Sequence, residues 1–187
     1  MTFDGITYRV YDFGRGGDCD ANSIWIMETE PKVAFVGDLV FNGMHSYMAD
    51  DAILAWLVNL ERAGMLLADV PTIYPGHGQP GPLTLLESQK AYLLAYCVAV
   101  RELADRKPTL TETARQELVA RMERFLPGVP LTFLITHSAD AVAAELARSN
   151  AFKRVLRVSC WSTRSLLYNL HTGAEWEQLP SNSPTLL

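Results

Sequence analysis

The stretch Val33-Ala34-Phe35-Val36-Gly37-Asp38 limits the fold more than any other part of this chain. Its first four residues are all apolar, a turn precedes them, and Gly-Asp ends them. A run that short and that apolar reads as a central strand. Two further strand signals come before it. Ile6 to Phe13 alternates, and Ser23 to Glu28 contains Ile24-Trp25-Ile26-Met27. Gly14-Arg15-Gly16-Gly17-Asp18 and Glu30-Pro31-Lys32 separate the three. Connections so short predict an antiparallel meander.

Helix signals follow. Asp50-Asp51 is expected to cap a helix from about Ala52 to Ala63, with Leu54, Leu57, Val58 and Leu60 on its apolar face and Gly64 at its end. Val70 to Tyr74 reads as a short strand, and Pro75 to Pro82 as a loop. Beyond it the pattern turns helical over Leu83–Arg106, Thr111–Phe125 and Ala139–Arg148, the last capped at Ser138. The expected organisation is therefore a strand-rich section at 1–82, a helical section at 83–148 and a tail at 149–187. In the tail, Arg154 to Val158 alternates like a strand and His171-Thr172-Gly173 looks like a hairpin turn.

With 187 residues, 49% hydrophobic and 20% charged, the chain suits one globular domain with a real core. A net charge of −5 and the lack of any basic run argue against nucleic acid as a partner. No stretch is apolar enough to span a bilayer, and no secretory leader is visible, so the expectation is a cytoplasmic protein without a membrane partner. The three cysteines, Cys19, Cys97 and Cys160, form neither a disulfide framework nor a Cys-x-x-Cys pair. Cys97 lies in an apolar helical run and reads as packing.

Two residues stand where chemistry is usually done. Asp38 ends the apolar strand, which places its carboxylate at a sheet edge. His77 stands between two glycines in Tyr74-Pro75-Gly76-His77-Gly78, where a tight backbone lets the imidazole project. Alone, Asp38 also fits a turn aspartate bonded to backbone amides, and His77 an ordinary loop histidine. Together, as two strand-end ligands separated by a helix, they form a more specific layout. The order Gly37-Asp38-Leu39-Val40-Phe41, then Trp56, then Pro75-Gly76-His77-Gly78 resembles the metallo-β-lactamase superfamily, and within it the glyoxalase-like hydrolases.

That resemblance covers about residues 5–80 and, more loosely, the helices to about 147. It implies an α/β fold of α+β type: half of a four-layer αββα sandwich, with a mostly antiparallel sheet followed by helices. It implies that Asp38 bridges two metal ions and that His77 binds one of them. The cofactor would be zinc, with iron or manganese as alternatives. A shared carboxylate screens two dications, and the metals lower the pKa of a bound water. The implied reaction is hydrolysis of an ester, thioester or lactam-like carbonyl of a small-molecule substrate by a metal-bound hydroxide. The alternative is a catalytically inactive remnant that acts by association, or a truncated product with no separate role.

Two departures qualify this. The family's His-x-His-x-Asp-His motif falls upstream of the matched segment, and His45, His137 and His171 are too scattered to rebuild it. Two protein ligands bind a metal weakly or not at all. The family also places a metal-binding His where this chain has Gly17-Asp18-Cys19, which makes Asp18 and Cys19 further candidate ligands. Asp18, Asp20 and Asn22 equally fit an Asx-type turn. Met44-His45-Ser46-Tyr47 follows Asp38 closely, so His45 and Tyr47 are candidates for a substrate cleft, with an exposed loop as the plainer reading of His45. Trp25 and Trp56 read as core or pocket wall. A half-sandwich should also leave one apolar sheet face uncovered. That predicts a homo-oligomer, a missing N-terminal half, or cover by residues 150–187.

Overall fold

The computed structural model describes residues 1–149, so the expected strand at 154–158, Cys160 and the His171 turn lie outside the described residues. Five strands form one sheet in sequence order: β1 (Thr2–Phe3), β2 (Ile6–Gly14), β3 (Asn22–Met27), β4 (Val33–Phe41) and β5 (Thr72–His77). Pairing is antiparallel from β1 to β4. Helix α1 (Ile53–Leu66) then carries the chain over to β5, which pairs parallel with β4. A parallel neighbour needs such a crossover, since no tight turn can return the chain in the same direction. Helices α2 (Thr84–Ala104), α3 (Glu112–Phe125) and α4 (Phe133–Arg148) complete the described residues. This is the expected mostly antiparallel α+β arrangement.

The core lies between the helices and one face of the sheet. Ile24, Ile26, Ala34, Val36 and Ile73 point into it and are at most 3% exposed. Trp56 of α1 is fully buried, and its Nε1 donates to the Leu39 carbonyl at 2.9 Å, fixing the helix against β4. Cys97 is buried within α2, and burial pushes its thiol pKa well up.

Several local expectations are corrected. The cap of α1 is not Asp50-Asp51. The first amides of that helix, from Ile53 and Leu54, donate to the Glu145 carboxylate of α4 at 2.9 and 3.0 Å, while Asp51 pairs with Arg148. A distant side chain satisfies the orphan donors that a local cap usually takes. Gly64 lies inside α1, which continues to Leu66. The buried face of α1 uses Ile53, Trp56, Leu57, Asn59, Leu60 and Ala63, whereas Val58 is 51% exposed. Helix α4 begins at Phe133 and not at Ala139. Ser138 is buried in mid-helix and accepts the Met48 N–H at 2.9 Å, so it serves a tertiary contact and caps nothing. Strand β5 runs on through Pro75 and Gly76 to His77, because the parallel register with β4 pairs Phe41 with His77.

Candidate metal centre

Asp38 and His77 meet because β4 and β5 are parallel. Both lie toward the carboxyl ends of adjacent strands, where the register shifts on either side of Gly37. The His77 Nε2 stands 3.5 Å from the Asp38 Oδ1. Gly76 makes this approach possible, since a Cβ there would sit 1.9 Å from that same carboxylate oxygen. Any side chain at 76 would displace Asp38. Phe41 stacks on the His77 ring with centroids 4.9 Å apart and planes 24° apart. The Asn42 N–H donates to the His77 carbonyl at 2.9 Å, so the imidazole is held from both ring face and backbone.

The loop after β2 brings a third group. The Asp18 carboxyl lies within hydrogen-bonding reach of both Asp38 and Cys19. Burial, and then the Asp38 charge, hold the Asp18 pKa above the ordinary carboxylate range. Two carboxylates cannot donate to each other unless one is protonated. Accordingly the Oδ1 atoms of Asp18 and Asp38 are both buried without a hydrogen-bond partner. A shared proton or a cation would satisfy them. A backbone hydrogen bond from Ala21 pulls the Cys19 pKa down, but burial and the nearby Asp18 and Asp38 outweigh this and raise it. Cys19 therefore stays a thiol, which is a poor metal ligand without help.

Two asparagines hold that loop; the sequence reading named Asn22 only as an Asx-turn residue and missed Asn59. The Asn59 amide nitrogen lies 2.9–3.0 Å from the carbonyls of Phe13, Arg15 and Gly16. The Asn22 amide donates to the carbonyls of Gly14 and Cys19, each at 2.9 Å. Gly16 (φ +114°) lies so close to α1 that a Cβ would meet the Ala55 carbonyl carbon at 2.7 Å. The available signal was Asn59 itself: a polar residue between Val58 and Leu60 on a helix with an apolar face needs a buried partner.

His45 is not an exposed loop residue. It is 1% exposed, with Nδ1 3.0 Å from the Tyr92 hydroxyl and Nε2 buried without a partner. Burial lowers its pKa, and the Glu123 charge opposes this only in part. Around it, the buried Gln89 accepts the Phe41 N–H at 3.0 Å and donates to the Ser46 Oγ at 2.9 Å. This polar core ties the stretch after β4 to α2. Tyr47 is half-buried; its hydroxyl donates to Asp50 at 3.1 Å and its ring lies against His137 of α4, 5.8 Å between centroids. Trp25 is half-buried on the sheet, while Trp56 is core.

The donor chemistry suits a cation: two partnerless carboxylate oxygens beside an imidazole. The geometry is incomplete. Among the described residues, no group of three His, Cys, Asp or Glu side chains converges closely enough to hold a metal ion. None of the described helices is long and apolar enough to cross a membrane.

No family model and no curated protein matches this sequence. Solved structures do. A metallo-beta-lactamase family protein of Thermus thermophilus superposes with a TM-score of 0.53 at 20% identity, over 86% of this chain and 47% of that one. A metallo-beta-lactamase from Pontibacter korlensis overlaps at 22% identity and a TM-score of 0.43, over 50% of this chain and 44% of its own. The DIM-1 metallo-beta-lactamase overlaps at 23% identity and a TM-score of 0.40, over 47% and 41%. The Thermus likeness shows the fold: this chain has a metallo-β-lactamase fold in part. It spans less than half the length of each of these structures.

Proposed function

We propose that this chain carries one side of a metal-dependent hydrolase centre that acts on the carbonyl of a small ester, thioester or lactam. The observation that carries the reading is the pair of buried, partnerless carboxylate oxygens on Asp18 and Asp38, with the His77 imidazole 3.5 Å from the latter. Asp38 and His77 would hold the metal, with Asp18 beside them. A carboxylate where an imidazole usually stands favours harder ions, manganese or iron, over zinc. When bound, such a cation polarises a carbonyl and acidifies a water.

The chain's own residues prepare the site in three ways. Gly76 leaves room for the Asp38 carboxylate. Phe41 and Asn42 orient the imidazole. Asn22 and Asn59 hold the Asp18 loop against α1. A cation would relieve the Asp18–Asp38 repulsion that, after burial, holds the Asp18 pKa up.

A second reading has its own observation. Without three convergent donors among the described residues, the chain would be an inactive relative that works through association. Metal content separates the two. Protein purified from medium supplemented with zinc and manganese, then assayed by elemental mass spectrometry, should hold metal that falls at least tenfold in both Asp38→Ala and His77→Ala (a first-order expectation for lost ligands). Equal metal in the parent and both variants would end the metal-centre reading and leave the associative one.

A further inference from the structure

The two carboxylates of the centre are held differently. Asp38 lies within β4, whereas Asp18 belongs to no strand or helix. Where Asp18 stands therefore depends on what grips its loop. Two amides do. Asn59 of α1 takes the carbonyls of Phe13, Arg15 and Gly16, and Asn22 of β3 takes those of Gly14 and Cys19. The glycines before Asp18 are pressed against the same two side chains. A Cβ on Gly16 would stand 2.8 Å from the Asn59 Nδ2, and one on Gly17 2.3 Å from the Asn22 Oδ1. Asp18 follows directly, between the held carbonyls of Gly16 and Cys19.

A residue on the surface of α1 decides how Asn59 does this. Asn59 is 3% exposed, and its Oδ1 accepts from the Arg62 guanidinium at 2.8 Å. Turned over, the amide would aim its oxygen at three carbonyl oxygens and its NH2 group at a guanidinium. Its surroundings therefore permit one orientation, and Arg62 supplies the donor for its oxygen end. The Arg62 guanidinium also lies over the Phe13 ring, 4.6 Å from the centroid, where β2 gives way to the loop. Exposed arginine contacts usually contribute little. This one serves a buried acceptor, so its loss leaves a buried oxygen without that donor.

We propose that Arg62 and Asn59 are positioning residues of the site: Arg62 orients the Asn59 amide, and the amide fixes where the loop holds the Asp18 carboxylate against Asp38. The consequence for metal affinity rests on the reading of Asp18 and Asp38 given under the proposed function; the clamp itself does not.

The test reads the loop first without metal. In full-length, metal-free protein carrying Cys160→Ser, Cys19 reports on the loop, because Cys97 is buried. Alkylation of Cys19 by iodoacetamide, followed by peptide mass, should quicken about fivefold in Arg62→Met and about tenfold in Asn59→Ala, the scale of one or more lost hydrogen bonds. Leu118→Ala, which opens a cavity under α3, should leave the rate unchanged. Parent rates in both loop variants overturn the proposal. So does an equal rise in Leu118→Ala, which would make the effect one of overall stability. Should Asn59→Ala fail to fold, Arg62→Met, at an exposed site, decides alone.

Manganese is then titrated into the same proteins, with the free ion followed by electron paramagnetic resonance. Asn59→Ala should raise the dissociation constant about tenfold, as lost support of a ligand does, and Arg62→Met by less. Neither rise should appear in an Asp18→Asn background; rises of the same size there overturn action through Asp18. A parent that binds no manganese ends the metal-centre reading, and the Cys19 rates still uphold or overturn the clamp.

Discussion

The two faces of the sheet come from the same four strands, yet they do different work. On the helix side, Ile24, Ile26, Ala34, Val36 and Ile73 are sealed under α1 and α2. On the other side, Trp25 and Phe35 carry more apolar surface per residue and remain partly in water. Alternation put apolar side chains on both faces, and the helices chose one. Hydrophobicity of a strand residue therefore does not reveal whether it stabilises the monomer or awaits a partner. Only its direction relative to the helices does.

The largest effect that would sharpen this contrast is on the sealed side. Trp56→Ala should cost about 3–5 kcal/mol, from lost burial, the cavity left behind and the unpaired Leu39 carbonyl. Thermal or urea unfolding measures it. A cost below about 1 kcal/mol would mean that α1 does not hold the sheet.

A smaller effect concerns pH. His45 is buried with its pKa lowered, so it is neutral when folded and takes up a proton more readily when unfolded. The unfolded state then binds more protons once pH falls below about 6.5, down to the lower folded value, and stability should drop across that window. For one proton the limit is about 1.4 kcal/mol per pH unit. The Tyr92 hydroxyl and Glu123 are the neighbours that could moderate it. Urea midpoints from pH 7.5 to 5.5 should fall more steeply for the parent than for His45→Gln. Identical slopes would show that His45 is not buried neutral.

The smallest effect belongs to the open face. Phe35→Thr should change stability in urea unfolding by about 0.5 kcal/mol or less. A loss of 2 kcal/mol or more there would break the comparison, because it would show that something within the same chain already covers that face.

The sequence by itself determined most element types and singled out the Asp38–His77 pair. Alternation and turn residues placed three antiparallel strands, and Gly37-Asp38 with Pro75-Gly76-His77-Gly78 marked the strand ends where Asp38 and His77 meet. Those features are local, since period, turn chemistry and a short motif are written in consecutive residues. The fold class and the open apolar face followed from the resemblance those motifs carry. Tertiary structure decided the rest. It capped α1 from Glu145, about ninety positions away, although Asp50-Asp51 stands right beside that helix. It turned Ser138 from a cap into a partner for Met48, and put His45 inside against Tyr92. It used Asn22 and Asn59 to fasten the Asp18 loop. Except for Asn22, whose partners Gly14 and Cys19 lie within eight positions, each of these is a polar group paired with a residue far off in the chain. The need for a partner can be read locally. Which residue supplies it depends on how helices and sheet pack, and no window of sequence contains that.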